Sequence, residues 1–437
     1  MRKRMFSFAL AAALSLPLAA QMGYTPAPEN REARKEFQDN KFGIFIHFGL
    51  YSMLADGEWV MTNKNLNYKE YAKLAGGFYP ARFNAAEWVS AIKASGAKYV
   101  CFTTRHHDGF SMFDSEFTDY NVAEATPFKR DIVKELAAEC HKQGIDVHFY
   151  YSLIDWYRDD YYPLGRTGLG TGRTTHGEWK TYHEFMKNQL TELLTNYGKV
   201  GAVWFDGQWD QDQNPSFDWQ FPELYEHIHR LQPACLIGNN HHTTPAEGED
   251  IQIFERDLPG ENKAGLSGQA VSPLPLETCE TMNGMWGYKI TDQDYKSTET
   301  LIHYLVKAAG MNANLLMNIG PQPDGAFPAA SLERLQAMGE WMKTYGETIY
   351  GTRGGRIPPH PWGVTTQKDN KLYVHILDLQ DQALFLPITE QKVKKARVFK
   401  DRSPVVFTQD KDGVLLKLPV VPKDTDYVVE LEFARDL

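Results

Sequence analysis

Short, β-rich apolar segments recur at wide spacing through the first three quarters of this chain, between residues 43 and 319. Several are nearly continuous apolar runs, which is typical of parallel strands buried on both faces. The eight segments are Gly43–His47, Tyr99–Thr103, Val147–Tyr151, Ala202–Asp206, Cys235–Gly238, Ile251–Glu255, Glu277–Thr281 and Asn314–Ile319. Helical patterns separate many of them, as at 84–95, 131–144 and 185–197. Eight strands that alternate with helices predict an α/β fold, a (β/α)8 TIM-like barrel.

The least regular part of this pattern runs from Cys235 to Thr281, where the gaps between predicted strands contain no clear helix. We therefore expect an irregular barrel there. After Arg353 the helical periodicity stops, and short strand-like runs alternate with turn residues such as Asn370 and Asp412. This change predicts a catalytic barrel over residues 21–353 and a C-terminal antiparallel β-sandwich over residues 354–437.

The N-terminus has the features of a secretory signal peptide over residues 1–20. Arg2, Lys3 and Arg4 form a positive segment, an apolar segment follows to Leu18, and small residues precede Gln21. We therefore expect an exported protein, periplasmic or secreted. No cysteine follows the apolar segment directly and no later segment is long and apolar enough to span a bilayer, so we expect no membrane anchor.

Composition excludes some classes of function. The formal net charge is −10 and there is no long basic run, so neither nucleic acid nor an anionic membrane surface is an expected partner. None of the four cysteines lies in a C-x-x-C pair, which gives no sign of a zinc site, and we expect buried free thiols. Aromatic residues make up 13% of the chain, enough to supply surfaces that stack on the rings of a ligand.

Functional residues of such barrels lie at the carboxyl ends of the strands. Polar and aromatic side chains collect at these ends in this sequence: His47, His106, His107, Tyr150, Tyr151, Trp204, Asp206, Glu255, Glu277, Glu280 and Trp286. Asp206 follows an apolar strand directly, and Gly207 and a polar loop, rather than a helix, come next. Helix capping therefore does not account for this carboxylate.

Two carboxyl groups in a barrel mouth lined with His, Trp and Tyr are the groups that glycoside hydrolysis uses. One carboxylate attacks or stabilises the anomeric carbon, and one carboxylic acid protonates the leaving oxygen. Indole rings stack on the apolar faces of sugars, and imidazoles hydrogen-bond to sugar hydroxyls. The strand ends therefore favour a glycosidase.

The sequence also resembles the family 29 glycoside hydrolases, the α-L-fucosidases. The similar motifs occur in the family's order: Gly43–Ser52 (GIFIHFGLYS), Arg105–Phe110 (RHHDGF), Tyr150–Leu153 (YYSL), Val203–Gly207 (VWFDG), Met285–Tyr288 (MWGY) and Asn314–Gly325 (NLLMNIGPQPDG). The resemblance implies an irregular (β/α)8-like barrel followed by a β-sandwich. It also implies a retaining exo-α-L-fucosidase that acts on fucosylated glycans. We expect no cofactor and no metal, since no H-x-H or H-E-x-x-H spacing supplies further metal ligands.

The resemblance assigns residue roles as well. Asp206 matches the catalytic nucleophile, which forms a covalent fucosyl-enzyme intermediate. Eight residues match positions that contact the sugar: His47, Glu58, Trp59, His106, His107, Tyr151, Trp204 and Trp286, the last beside the fucose C6 methyl group.

The acid/base residue is the role that the resemblance assigns least directly, because it comes from a variable loop after the nucleophile. Glu255 is our first candidate, since it ends the sixth predicted strand. Glu277 is the alternative; it lies in ETCET, which is similar to a WE-x-C-x-T element of the family except that Leu276 replaces the tryptophan. Glu261, on a loop beside Gly260, is a third candidate.

Other classes of function stay open at this point. The same pocket would serve a sugar-binding protein without turnover, although Asp206 together with Glu255 argues against it. A metal-dependent hydrolase built on His47, His106 and His107 is a second alternative, and a surface protein whose β-sandwich is the working part is a third. The sequence also leaves open whether the protein is a homo-oligomer and which fucosyl linkage it would cleave.

Overall fold

The computed structural model describes residues 23–437, and the predicted signal peptide, residues 1–20, lies outside this part of the chain. Eight parallel strands form a barrel: β1 (Phe42–Ile46), β2 (Tyr99–Arg105), β3 (Asp146–Ser152), β4 (Ala202–Asp206), β5 (Leu236–Asn240), β6 (Gln252–Glu255), β7 (Leu276–Thr281) and β8 (Ala313–Ile319). Their order around the sheet is β5-β4-β3-β2-β1-β8-β7-β6. The predicted barrel is confirmed, with each strand within a few residues of its predicted place.

The barrel is irregular where the sequence predicted it. Strands β5 and β6 are joined only by an isolated parallel bridge between Gly238 and Ile251. No helix connects β5 to β6 or β6 to β7. The chain segments at this side of the barrel are therefore loops, and they are free to contribute side chains to the barrel mouth.

Helices cover the outside of the barrel: α1 (Pro28–Asn40), α2 (Val60–Asn63), α3 (Tyr68–Ala72), α4 (Ala85–Ala94), α5 (Ile132–Gln143), α6 (Trp179–Thr195), α7 (Phe221–Leu231), α8 (Thr298–Gly310) and α9 (Ala329–Tyr345). Asp131 caps α5 by accepting a hydrogen bond from the Lys134 amide, and Gly144 ends it at φ +73°, a conformation that favours glycine. Helix α6 begins six residues before the predicted Phe185, because Trp179 and Tyr182 continue its apolar face.

Alternate residues of each barrel strand face two different cores. Phe45, Tyr150, Trp204 and Cys279 belong to the cluster that fills the barrel interior. Their neighbours along the strands, such as Tyr151, pack outward in the layer between strands and helices. All four cysteines are buried free thiols, as the sequence predicted.

The C-terminal part contains two antiparallel sheets, as predicted. One has the order β13-β16-β11-β10-β9 and the other β12-β15-β14. Their strands are β9 (Arg353–Gly354), β10 (Gly363–Lys368), β11 (Lys371–Ile376), β12 (Ala383–Leu386), β13 (Val393–Val398), β14 (Val406–Gln409), β15 (Val414–Lys417) and β16 (Tyr427–Phe433). Strand β10 is the one that its sequence indicates least, because its residues GVTTQK carry little apolar alternation. Among residues 23–437, no helix has the length and apolar character needed to cross a membrane.

Candidate active site

A cavity of about 400 Å³ opens at the carboxyl ends of the barrel strands. This size suits a small ligand such as a monosaccharide. The lining residues are Phe45, His47, Glu58, Trp59, His106, Tyr150, Arg166, Trp204, Asp206, Trp209, Asn240, His242, Glu255, Arg256, Leu266, Cys279, Met285 and Trp286. The cavity therefore brings together most of the residues that the sequence singled out.

Asp206 ends β4 inside this cavity and is surrounded by hydrogen-bond donors. Its Oδ2 accepts a hydrogen bond of 3.0 Å from the Tyr150 hydroxyl. Its Oδ1 accepts one of 3.1 Å from the indole Nε1 of Trp209. Gly207, at φ +104°, turns the chain directly after the strand, and this turn brings Trp209 back to the carboxylate. The carboxylate is thus held in one orientation from two sides.

The surroundings of Asp206 favour its ionised form. Burial alone would raise the pKa of Asp206, but the hydrogen bond and charge of His107, together with Trp209 and His242, hold that pKa below its usual value. His107 Nε2 lies 3.4 Å from Asp206 Oδ2. An ionised, oriented carboxylate in a partly closed cavity has the properties of a nucleophile or an electrostatic stabiliser.

Glu255 ends β6 and faces the same cavity. Its Oε2 accepts a hydrogen bond of 2.8 Å from Asn240 Nδ2 and lies 3.1 Å from His242 Nε2. Its side chain is 16% exposed, so solvent or a ligand reaches it through the mouth. Asn240 ends β5, and His242 follows it at φ +63°, in the helix-free stretch of the barrel.

Asn240 also connects the two carboxylates. The same Nδ2 atom that bonds to Glu255 lies 3.3 Å from Asp206 Oδ1. Two hydrogen bonds from one nitrogen, 3.3 and 2.8 Å long, keep these two oxygens at most about 6 Å apart. The cavity therefore holds a close carboxylate pair, one member on each side of the irregular strand β5.

Two histidines on neighbouring strands form a neutral polar wall. Burial lowers the pKa of His47 to about 3, partly offset by its hydrogen bond with Asn318. Because Asn318 Nδ2 donates to the Trp286 carbonyl, Asn318 Oδ1 accepts from His47 Nδ1, which leaves His47 Nε2 as an acceptor. Burial also lowers the pKa of His106, and its Nδ1 has no partner among the described residues. Neutral imidazoles are suited to hydrogen-bond with sugar hydroxyls.

Indole rings supply the apolar walls. Trp59 stacks on Trp209, with ring centres 5.6 Å apart, and Trp204 stacks on Tyr150 at the same distance. Trp286 lies 5.4 Å from the ring of His47. Glu58 is buried beside them, and its Oε2 accepts a hydrogen bond of 2.7 Å from the Gly287 amide. Stacked rings with few polar atoms fit the C–H faces of a sugar.

The expectation that Tyr151 contacts the ligand is corrected by the structure. Tyr151 points outward, where its hydroxyl donates to Gln189 Oε1 on α6 and the Arg105 guanidinium lies over its ring. Tyr150 occupies the site instead, because adjacent residues of a strand point to opposite faces. The pairing of Tyr150 with Trp204 places both inside the barrel.

Glu277 does not reach the cavity either. It is fully buried in the barrel interior, where Oε2 accepts from the Tyr99 hydroxyl and Oε1 from the Trp204 indole. Glu261 pairs with Lys263 and does not line the cavity. Both are therefore disfavoured as the acid/base.

His107 was expected to contact the ligand, but its side chain is only 1% exposed. One ring nitrogen hydrogen-bonds with Ser152 Oγ and the other faces the Asp206 carboxylate.

Sequence reasoning missed several lining residues, above all Trp209, Asn240, His242 and the arginines at 166 and 256. Asn240 carried a usable signal, because it is a polar residue two positions after the predicted strand Cys235–Gly238. Trp209 was detectable as an aromatic residue three positions after Asp206. The others lie on loops whose course the sequence does not specify.

A (β/α)8-like barrel with two close carboxylates in an aromatic-walled cavity defines a glycoside hydrolase. The family model described as alpha-L-fucosidase matches residues 11–347 of this chain. The chain therefore belongs to the α-L-fucosidase family, and it is an enzyme of the fucosidase class.

Individual relatives agree with this placement. The plasma alpha-L-fucosidase of Rattus norvegicus is 30% identical over 442 residues, which cover 91% of this chain and 90% of that protein. Alpha-L-fucosidase isoenzyme 1 from Paenibacillus thiaminolyticus has a similar structure, with a TM-score of 0.81, 34% identity, and coverage of 93% of this chain and 99% of that chain.

A third relative is a GH29 alpha-L-fucosidase from Bacteroides thetaiotaomicron. Its structure is described as a trapped covalent intermediate, obtained with 2-fluoro-fucosyl fluoride and a glutamate-to-glutamine mutant. It has a TM-score of 0.80 and 29% identity, over 92% of this chain and 96% of that chain.

Proposed function

We propose that this enzyme removes terminal α-L-fucose from glycans with retention of configuration, through a covalent fucosyl-enzyme intermediate. Asp206 is the nucleophile and Glu255 is the general acid and base. The observation that carries this proposal is the shared contact with Asn240, which keeps the two carboxylates at most about 6 Å apart. Retaining glycosidases have their carboxyl groups about 5–5.5 Å apart, whereas inverting enzymes need about 6.5–9.5 Å to admit a water molecule.

In the first step, an Asp206 oxygen attacks C1 of the fucose from the face opposite the leaving group. The C1–O bond to the aglycone breaks, and the Glu255 carboxylic acid gives its proton to the departing oxygen. The product is an ester between Asp206 and the sugar. The lowered pKa of Asp206 supports this role, because the attacking carboxylate must be ionised.

In the second step, Glu255, now a carboxylate, takes a proton from a water molecule as the water oxygen attacks C1. The ester bond breaks, Asp206 leaves as a carboxylate, and α-L-fucose is released. Glu255 ends this step protonated, ready for the next turnover. His242, 3.1 Å from Glu255 Oε2, is placed to stabilise the charged form of the carboxylate between the steps.

The remaining lining residues bind the sugar in this scheme. His47 and His106, both neutral, accept and donate hydrogen bonds to fucose hydroxyls, and Trp286 contacts the C6 methyl group. Trp204 and Tyr150 close the inner end of the cavity, which favours a terminal sugar over an internal one. The trapped covalent intermediate of the Bacteroides thetaiotaomicron relative supports the same chemistry by similarity.

Stereochemistry tests this proposal. Proton NMR during hydrolysis of an aryl α-L-fucoside should show α-L-fucose as the first-formed product, before mutarotation produces the β-anomer. First-formed β-L-fucose would mean inversion and would refute the covalent intermediate.

We also propose that the enzyme is exported, on the basis of the basic and apolar segments within residues 1–20. N-terminal sequencing of protein recovered from the periplasm or medium should then begin at Gln21. A protein that stays in the cytoplasm with Met1 in place would refute this.

A further inference from the structure

Two arginines stand at the cavity, on different sides of its mouth. Arg166 lies in the loop after β3, with its guanidinium 5.0 Å from the ring centre of Trp209. Arg256 follows β6, with its guanidinium 4.9 Å from the ring centre of Trp286. Trp209 follows β4 and Trp286 follows β7, three strands apart around the barrel. The two cations therefore line the cavity at positions that are three strands apart.

Arg166 has no anionic partner within the described chain. Its side chain is exposed, and no carboxylate of residues 23–437 lies within 4.0 Å of its guanidinium. It makes a cation–π contact with the Trp209 ring, which leaves its N–H groups free for a ligand. A guanidinium without an anionic partner can bind an anion.

Arg256 is held toward the cavity by an unusual backbone conformation. Its φ of +59° is in the left-handed region, which non-glycine residues seldom adopt. This turn lets Glu255 and Arg256 both line the cavity, although consecutive strand residues would point to opposite faces. One guanidinium nitrogen donates to the Gly284 carbonyl at 2.7 Å, and another forms an ion pair with Glu280 Oε1 at 3.6 Å, longer than a hydrogen bond. Backbone strain of this kind tends to persist at functional sites.

The charges of the cavity explain why cations would be needed there. Asp206 lines it as an ionised carboxylate, and the chain as a whole carries a net charge of −10. A negatively charged leaving group would be repelled by this negative charge unless positive charge faced it. Arginine is the side chain that pairs best with sulfate and carboxylate oxygens, through two parallel N–H bonds.

We propose that Arg166 and Arg256 form a subsite for an anionic substituent, a sulfate ester or a carboxylate, on the sugar that carries the fucose. This inference rests on the proposed function, because it assumes that Glu255 protonates a leaving group lying toward the mouth. It assigns the enzyme a preference for acidic fucosylated glycans over neutral ones.

A matched set of substrates tests the subsite. The set is one neutral fucosyl disaccharide, the same disaccharide with a sulfate ester on the acceptor sugar, and one whose acceptor sugar is a uronic acid. The wild-type enzyme should show kcat/KM about tenfold higher on at least one acidic substrate than on the neutral one, mostly through KM. In 1 M NaCl, where the Debye length is about 3 Å, this ratio should fall toward one.

Substitution of each arginine tests whether it causes the preference for acidic substrates. In Arg166→Gln and in Arg256→Gln the acidic-to-neutral ratio should fall about five- to tenfold. The matched control is Arg82→Gln, which removes a 68% exposed arginine that does not line the cavity and should keep the wild-type ratio. A preference for sulfate alone, carboxylate alone or both identifies the source of the charge.

A wild-type ratio at or below one on both acidic substrates, or a ratio unchanged in both cavity variants, would overturn the subsite. The first-formed anomer from a neutral aryl fucoside tests the proposed mechanism separately. Retention without acidic preference therefore removes only the subsite, and inversion removes the mechanism on which it rests.

Discussion

Asp206 and Glu255 accept hydrogen bonds from one and the same nitrogen atom, Nδ2 of Asn240. The two carboxylates come from strands that are not adjacent, and β5, which carries Asn240, runs between them. One neutral side chain thus sets the spacing of the pair and donates to both members. Experiments can distinguish the roles of the two residues, because their other hydrogen-bond partners differ. Asp206 accepts from Tyr150 and Trp209, and Glu255 lies beside His242.

Removal of the Asp206 carboxylate should abolish turnover. Without it no fucosyl-enzyme can form, so Asp206→Ala and Asp206→Asn should lose about a thousandfold or more in kcat on aryl fucosides. Azide should restore activity to Asp206→Ala and give β-L-fucosyl azide, since the small anion takes the place of the carboxylate. Near-normal turnover of Asp206→Asn would exclude Asp206 from the mechanism.

Loss of Glu255 should depend on the leaving group. A general acid matters most for poor leaving groups, so Glu255→Ala should lose about 10²–10⁴-fold on natural fucosides while the first step on activated aryl fucosides stays fast. The basic limb of the pH profile should flatten, because it reports loss of the acid proton. The control is Glu277→Gln, whose partners are Tyr99 and Trp204 and not a ligand. If leaving-group dependence appeared in Glu277→Gln and not in Glu255→Ala, the assignment would be wrong.

Phenylalanine substitutions of the adjacent tyrosines, Tyr150 and Tyr151, should have different effects on the pH profile. Tyr150→Phe removes the 3.0 Å hydrogen bond to Asp206 Oδ2. A hydrogen bond to the charged form lowers a carboxyl pKa, so its loss should raise the pKa of Asp206 and move the acid limb of kcat/KM to higher pH. Tyr151→Phe loses only the bond to Gln189, and it should cost about 1 kcal/mol of stability and leave the acid limb in place. A shifted limb in Tyr151→Phe, with none in Tyr150→Phe, would contradict the structure.

Tyr150 and Tyr151 show which feature of the site cannot be predicted from the sequence. The barrel, the sandwich and several of the cavity residues, among them His47, Asp206 and Glu255, follow from apolar runs and from the polar residues at strand ends. The choice between Tyr150 and Tyr151 needs the strand register, which a run apolar on both faces does not reveal. The pairing of Tyr150 with Trp204 supplies that register.

The acid/base residue was harder to predict from the sequence than the nucleophile, for a different reason. Asn240, His242 and Arg256 lie where the barrel has no helices, and two of them adopt left-handed backbone conformations. No periodicity describes such loops. The sequence alone therefore left Glu255, Glu277 and Glu261 as candidates for the acid/base residue. Burial separates them, since Glu277 is enclosed in the barrel and Glu255 faces the cavity.

Far from the active site, Lys41 should make stability depend on pH. Its ammonium group is fully buried and has no hydrogen-bond partner among the described residues. Burial and the nearby Arg353, partly offset by Asp39, lower the pKa of Lys41 to about 7. The folded state therefore disfavours the proton that the unfolded chain binds below pH 10.5, and the penalty grows as pH falls from 10.5 to 7.

Lys41→Met should therefore be more stable than the wild type at pH 7, by a few kcal/mol. The gain should shrink by about 2 kcal/mol at pH 9, because removing the proton that the unfolded chain holds costs less free energy at pH 9 than at pH 7. Urea denaturation at the two pH values measures this difference. Lys98→Met, at a lysine that is exposed, should show no such pH dependence. A gain for Lys41→Met that is equal at both pH values would contradict the explanation.

The most direct test of the central claim is to trap the intermediate and locate it. Incubation of the enzyme with 2-fluoro-fucosyl fluoride, followed by proteolysis and mass spectrometry, should show one 2-fluorofucosyl group attached to the peptide that contains Asp206. Glu255→Gln, which slows the second step, should increase the labelled fraction. Absence of any label in both proteins, or a label on another carboxylate, would contradict the account.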